Sequence, residues 1–199
     1  MNGKIVNRKI ITQNLYAGEK ALKTFKAEFP YFHSNTKINT AIRTHEDNKR
    51  YSDLIPRLRK QSIVTGLKIN NLRLAYASIP NKIQYLTQNI KFNKAANCCE
   101  CSFLIHDTLK QQGVESQNVI MNIFKNGEER FDRNHAFTVI GLKKDANISN
   151  PKTWGKHAVI VDGWANIVKR AKEGLDYFTE LFGFNSETEH ITLDKYRNI

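Results

Sequence analysis

The sequence predicts an α+β fold, and three observations carry that expectation. The first half reads as helical by the spacing of its apolar residues. A striped helix begins at residue 98. Three short β-like segments then follow in close succession, one of them ending at an Asn-Gly pair. A helix feeding such strands gives an antiparallel sheet with helices segregated against it. The 199 residues suit one compact domain. Within it, residues 1–93 form a helical, basic part packed on the core, and residues 94–199 form the core that carries the candidate catalytic residues.

Taken in order, residues 12–29 predict a helix, because Leu15, Leu22, Phe25 and Phe29 recur at helical spacing and Pro30 stops it. Residues 45–60 predict a basic helix with Pro56 as a break. Residues 67–77 and 81–91 predict two shorter helices around Ser78-Ile79-Pro80. Asn97 is a good N-cap for a helix over Cys98–Gln112, whose buried stripe is Cys101, Leu104, Ile105 and Leu109. Gly113 ends that helix. Strands are predicted over Asn118–Phe124, His135–Leu142 and His157–Asp162, with a hairpin turn at Asn126-Gly127. A final helix is predicted over Ala165–Phe182, ended by Gly183, and the residues after it are expected to be loosely held.

Composition narrows the function classes. Hydrophobic residues at 40% and charged residues at 25% exclude a wholly disordered chain. No apolar run approaches the length of a membrane-spanning helix, and the N-terminal residues do not form the usual secretory signal. The formal charge of +12 is concentrated: residues 1–97 hold 18 Lys/Arg against 5 Asp/Glu, while residues 98–199 hold 13 against 14. That asymmetry predicts either a solvated helical face or a surface for an acidic partner. No ribonucleoprotein motif or zinc finger accompanies it, so a nucleic-acid partner is not expected. The three cysteines, Cys98, Cys99 and Cys101, lie in one cluster. They form no disulfide framework, so the expected setting is a reducing compartment. No histidine pair at zinc-ligand spacing complements them, so neither a metal nor a cofactor is expected.

Three residues point jointly to chemistry. Cys98 follows an N-cap and so falls in a first helical turn, where the helix dipole and unpaired amides favour a thiolate. His135 opens an apolar strand, and Asp162 closes another. Alone, each has an ordinary explanation: a small buried thiol, a structural imidazole, an Asp-Gly turn. Together they fit one register of an antiparallel pair, with His135 directly opposite Asp162 and Gly141 opposite Lys156. Opposed residues share a face with β-carbons about 5 Å apart, so the carboxylate can fix the imidazole while its other nitrogen serves the thiol. Asn97 and Asn93 are candidate oxyanion donors, and Trp164 is either a wall of the cleft or part of the core.

The motifs around these residues resemble a known family. Ala96-Asn97-Cys98-Cys99-Glu100 resembles the Gly-Asn-Cys-Gly-Glu turn of papain-like, transglutaminase-like bacterial effectors. The run from Asn134 to Gly141 resembles their His-[Ala/Val]-Phe-x-Val-Ile-Gly strand, and Trp154 to Ala165 resembles their Trp-Gly…Ala-Val-[Ile/Val]-x-Asp-Pro-Trp-Ala segment. The departures are Cys99 for Gly and Gly163 for Pro; the first makes Cys99 an alternative nucleophile. The resemblance covers residues 94–170. The family it resembles includes host-directed protein glutamine deamidases, transglutaminase-type Legionella effectors and YopT-like cysteine proteases.

The resemblance implies a papain-like/transglutaminase-like core, with the nucleophile helix packed on the antiparallel sheet beneath an N-terminal basic cap. It also implies acyl transfer on glutamine side chains of a host protein, and secretion by a bacterium into the host cytoplasm. Cys98 would form the thioester, with His135 as base and Asp162 as orienter. Proteolysis of YopT type is the alternative, and a non-catalytic basic binding module is a second. The expected partner is a protein substrate, acidic on its contact surface. The oligomeric state is not encoded.

Overall fold

The computed structural model describes residues 2–29, 84, 87, 88, 91, 96, 98–130 and 133–196, with side chains from residue 8 onward. The elements predicted over 45–60 and 67–77, most of that over 81–91, and both Asn93 and Asn97 lie outside these residues. What is described is mixed: three helices and an antiparallel sheet, which bears out the α+β expectation. No described helix is long and apolar enough to cross a membrane.

Helix α1 spans Asn2–Glu28 and starts ten residues earlier than the sequence suggests. Nothing in Asn2–Thr12 breaks a helix except one glycine near its end, so the turn pattern runs on. Its buried stripe is Ile11, Ala21, Leu22 and Phe25, followed by Phe29. Gly18 lets the helix approach the sheet: a β-carbon there would lie 2.8 Å from methyls of both Val161 and Val168. Helix α2, Cys98–Gln111, buries Cys101, Leu104, Ile105 and Leu109 as predicted. Gly113 (φ 72°) ends it, with its N–H on the Lys110 carbonyl and the Val114 N–H on the Leu109 carbonyl. This paired closure satisfies two of the last carbonyls.

The strands are β1 (Ser116–Lys125), β2 (Glu128–Glu129), β3 (His135–Ile140), β4 (Val159–Asp162), β5 (Ile167–Arg170) and β6 (Glu189–Lys195). The Asn-Gly hairpin forms where expected, with both Asn126 and Gly127 at positive φ between the paired Lys125 and Glu128. Met121 pairs with His135 on one side and Leu193 on the other, so β3 and β6 flank β1. The sheet continues through β4 to β5, all antiparallel.

Three expectations are corrected. The helix predicted over Ala165–Phe182 is a strand followed by a helix: β5, then α3 over Ala171–Leu181. Asn166 takes a positive φ and reverses the chain, so the β-branched pair Ile167-Val168 returns along β4. The residues after 182 are not loose: β6 pairs with β1 over seven positions and places Ile191 and Leu193 against it. Finally, β3 and β4 pair as Thr138↔Val161, Val139↔Ile160 and Ile140↔Val159, two residues from the anticipated register. The connecting loop is long and tucks Trp154 beneath it with no exposed surface, so no tight turn dictates register. Because side chains alternate with period two, a shift of two keeps His135 and Asp162 on one face as diagonal neighbours.

The sheet has two apolar faces. Ile140, Val159 and Val161 meet α1 and α2. Val119, Met121, Ile123, Phe137, Val139, Ile160 and Leu193 meet Phe178 of α3 and Trp154. Each large side chain fully buried here contributes roughly 1.5–3 kcal/mol.

Candidate functional site

His135 and Asp162 lie on the α3 face, each 1% exposed. The imidazole Nε2 stands 2.5 Å from the Asp162 Oδ2. The second carboxylate oxygen accepts the backbone N–H of Trp164 at 2.8 Å and of Ala165 at 3.0 Å. Asp162 therefore closes its own turn and binds the imidazole at once, which explains a carboxylate at the end of an apolar strand. A carboxylate facing Nε2 is satisfied when that nitrogen carries the proton. The lone pair of the neutral ring is then on Nδ1, which is buried and has no hydrogen-bond partner among the described residues.

The ring is enclosed by aromatics. Trp164 lies 4.6 Å away, Phe178 4.5 Å in an edge-on contact, and Phe182 5.5 Å. Trp164 is 8% exposed and belongs to the core on the opposite face, so it bridges the two. Of its two anticipated roles, core packing against His135 is the one seen. Phe178 falls within the helix predicted over Ala165–Phe182, but its contact with the imidazole depends on β5 turning α3 back across the sheet.

Cys98 is the first residue of α2 and is partly exposed. The N–H of Ala136, next to His135, points at its sulfur. The ladder between β3 and β4 begins only at Thr138, so the thiol occupies the edge of β3 that β4 leaves uncovered. The sulfur is not bonded to the imidazole: its side-chain partner is the Cys99 thiol. That hydrogen bond, then burial, raises the Cys98 pKa well above that of an ordinary thiol, against the lowering effect of Ala136 N–H. The helix terminus alone was expected to favour a thiolate; the vicinal thiol outweighs it. Cys99 in turn is hydrogen-bonded to Tyr196, a buried phenol whose own pKa is raised by burial first and then by Cys99. Tyr196 sits just after β6, the unanticipated strand, with its N–H on the Asn118 carbonyl at 2.9 Å.

The structure thus joins His135 to Asp162, brings Cys98 to the backbone beside His135, and leaves thiol and imidazole unbonded. Cys101 is fully buried, facing the core as the stripe required. Among the described residues no three His, Cys, Asp or Glu side chains are grouped to hold a metal ion. Comparison with known proteins finds no matching family model, no matching curated protein and no matching solved structure.

Proposed function

We propose that the chain is a cysteine-dependent acyl-transfer enzyme with a papain-like/transglutaminase-like core, acting on glutamine side chains of a host protein beneath a basic N-terminal cap. The observation that carries this reading is the buried Nδ1 of His135, without a hydrogen-bond partner among the described residues, on a ring whose Nε2 is held by Asp162. A buried acceptor without a partner costs stability, and general-base chemistry is a reason to keep one. The motif resemblance supports the glutamine-directed substrate class.

In the reaction, the Cys98 thiol leaves Cys99 and turns toward Nδ1, which takes its proton. The sulfur attacks the carboxamide carbon, and the Ala136 N–H stabilises the thiolate as it forms. The C–N bond breaks, and the proton on Nδ1 passes to the leaving ammonia. Water or a lysine amine then attacks the thioester and regenerates the thiol, giving a glutamate or an isopeptide cross-link. The carboxylate of Asp162 stabilises the imidazolium in between.

The raised thiol pKa and the missing thiol–imidazole bond favour a second reading, a basic binding module in which the His135–Asp162 pair is structural. Iodoacetamide alkylation separates the two. On the enzyme reading, Cys98 is modified near neutral pH, and His135→Ala slows it at least about tenfold. An unchanged rate in His135→Ala leaves the binding module. Intact mass of protein substrates treated with wild type and Cys98→Ala then identifies the acceptor: a gain of about 1 Da for deamidation, a loss of about 17 Da with cross-linking for transglutamination, fragments for proteolysis.

A further inference from the structure

One concavity contains none of Cys98, His135 and Asp162. It lies between α1 and the loop connecting β3 to β4, with a volume of about 800 Å³. That is within the range of small-molecule sites. Lys143, Lys152 and Lys156 line it, and among the described residues no Asp or Glu does. Three ammonium groups around one concavity repel each other, and an anion between them removes that repulsion.

The walls are built rather than incidental. Asn14 of α1 donates from Nδ2 to the His157 carbonyl at 2.8 Å, fastening helix to loop. Gly141 (φ 70°) admits that contact, since a β-carbon there would lie 2.5 Å from the same carbonyl and closer still to Asn14. Gly155 (φ 91°) leaves room for the Lys143 stem, whose Cγ and Cε would be 2.8 and 3.2 Å from an added β-carbon. The Lys143 N–H is bonded to the Trp154 carbonyl at 3.0 Å. Lys152 sits on a 3₁₀ turn, Pro151–Thr153, capped by Asn150. One wall is apolar: Leu142, Pro151 and Ile10. Ile10 is one of two large hydrophobic residues exposed among those described.

We infer that this concavity binds a phosphate-bearing small molecule of nucleotide size, its phosphates on the lysines and its ring system on the Ile10 wall. A free polyphosphate shares the charged half of that chemistry.

Calorimetric titration at low salt with ATP and with inorganic triphosphate tests the site. Wild-type protein is expected to bind ATP with a submillimolar Kd. Lys143→Gln/Lys152→Gln/Lys156→Gln, all at exposed positions, weakens it at least about tenfold, with binding to wild type falling steeply as salt rises. Gly155→Ala weakens it in the same direction by displacing Lys143. Tighter binding of ATP than of triphosphate, with Ile10→Ser abolishing the difference, identifies a nucleotide. Equal binding of the two identifies free polyphosphate as the ligand. Affinity unchanged in the triple variant, or no binding by wild type up to millimolar ligand, overturns the inference. Circular dichroism checks that each variant is folded.

Discussion

The two faces of the sheet are built to different rules. On the α3 face, His135 and Asp162 are both buried, hydrogen-bonded to each other and walled by Trp164, Phe178 and Phe182. On the α1/α2 face, the thiols of Cys98 and Cys99 keep some exposure and bond to each other. One face holds a rigid, dry acid–base pair; the other holds a thiol with alternative partners. The faces approach each other at the start of β3, where Ala136 N–H reaches Cys98, and at Trp164, which belongs to the α1/α2 core and packs on His135. On the proposed acyl-transfer reading, the imidazole is already held in place and the thiol is the member that must change partner.

The largest effect is expected from Asp162→Ala. It removes the acceptor of His135 and of two backbone amides, at 1% exposure. Each buried donor left without an acceptor costs about 1–3 kcal/mol, and three are stranded here: the imidazole N–H and the Trp164 and Ala165 amides. A loss of about 4 kcal/mol or more in urea unfolding is expected, with Asp162→Asn milder because its amide oxygen still closes the turn. A loss below about 1 kcal/mol would mean that the α3 face is not rigid. Phe178→Ala comes next. It empties a fully buried position beside the imidazole and is expected to cost about 3 kcal/mol. Leu104→Ala on the other face costs a similar amount. Only Phe178→Ala should also slow the His135-dependent alkylation of Cys98, if the aromatic enclosure positions the ring.

What could be read from the sequence follows the same division. The α2 stripe, its Gly113 terminus and the Asn126-Gly127 hairpin are local signals, and each appears as expected. The His135–Asp162 pairing was legible because side-chain parity survives a register shift of two; the register itself was not, because a long loop with a buried Trp154 sets it. The strand β5 was hidden by an apolar pattern shared with the helix that follows it directly, and the reversal that makes it a strand is set by the left-handed Asn166 before it. The strand β6 carries a strand-like alternation of Ile191 and Leu193 with Thr192 and Asp194, but only two apolar residues among charged neighbours, too few to stand out. Nothing local announces that Tyr196 will bond to Cys99: the contact exists only because β6 joins β1.

The thiol pair offers a smaller effect with an informative sign. The Cys99 hydrogen bond is the main cause raising the Cys98 pKa. Cys99→Ala removes it, so the pKa falls and the thiolate fraction at pH 7 rises. Alkylation of Cys98 should then be several-fold faster, since each pKa unit changes that fraction about tenfold well below the pKa. The pH midpoint of the reaction moves down. If the total alkylation rate instead collapses in Cys99→Ala and survives in Cys98→Ala, Cys99 is the reactive thiol.

The smallest expected effect places pH sensitivity on the α2 face. His106 bonds through Nδ1 to Ser116 Oγ at 2.7 Å, joining α2 to β1. Burial is the main cause lowering its pKa from 6.5, with Asp107 opposing and Lys110 assisting. The folded protein therefore binds the imidazole proton less tightly than the unfolded chain does. Its stabilising contribution is complete above pH 6.5 and is lost as pH falls through the depressed folded value. Because the ring is only partly buried, solvent screens it, and the expected loss is no more than about 0.5 kcal/mol. His106→Gln keeps a polar partner for Ser116 and cannot titrate. Its urea midpoint should therefore vary less than that of wild type between pH 7 and pH 5. An identical pH dependence in the two proteins would show that His106 does not set the acid sensitivity of the fold.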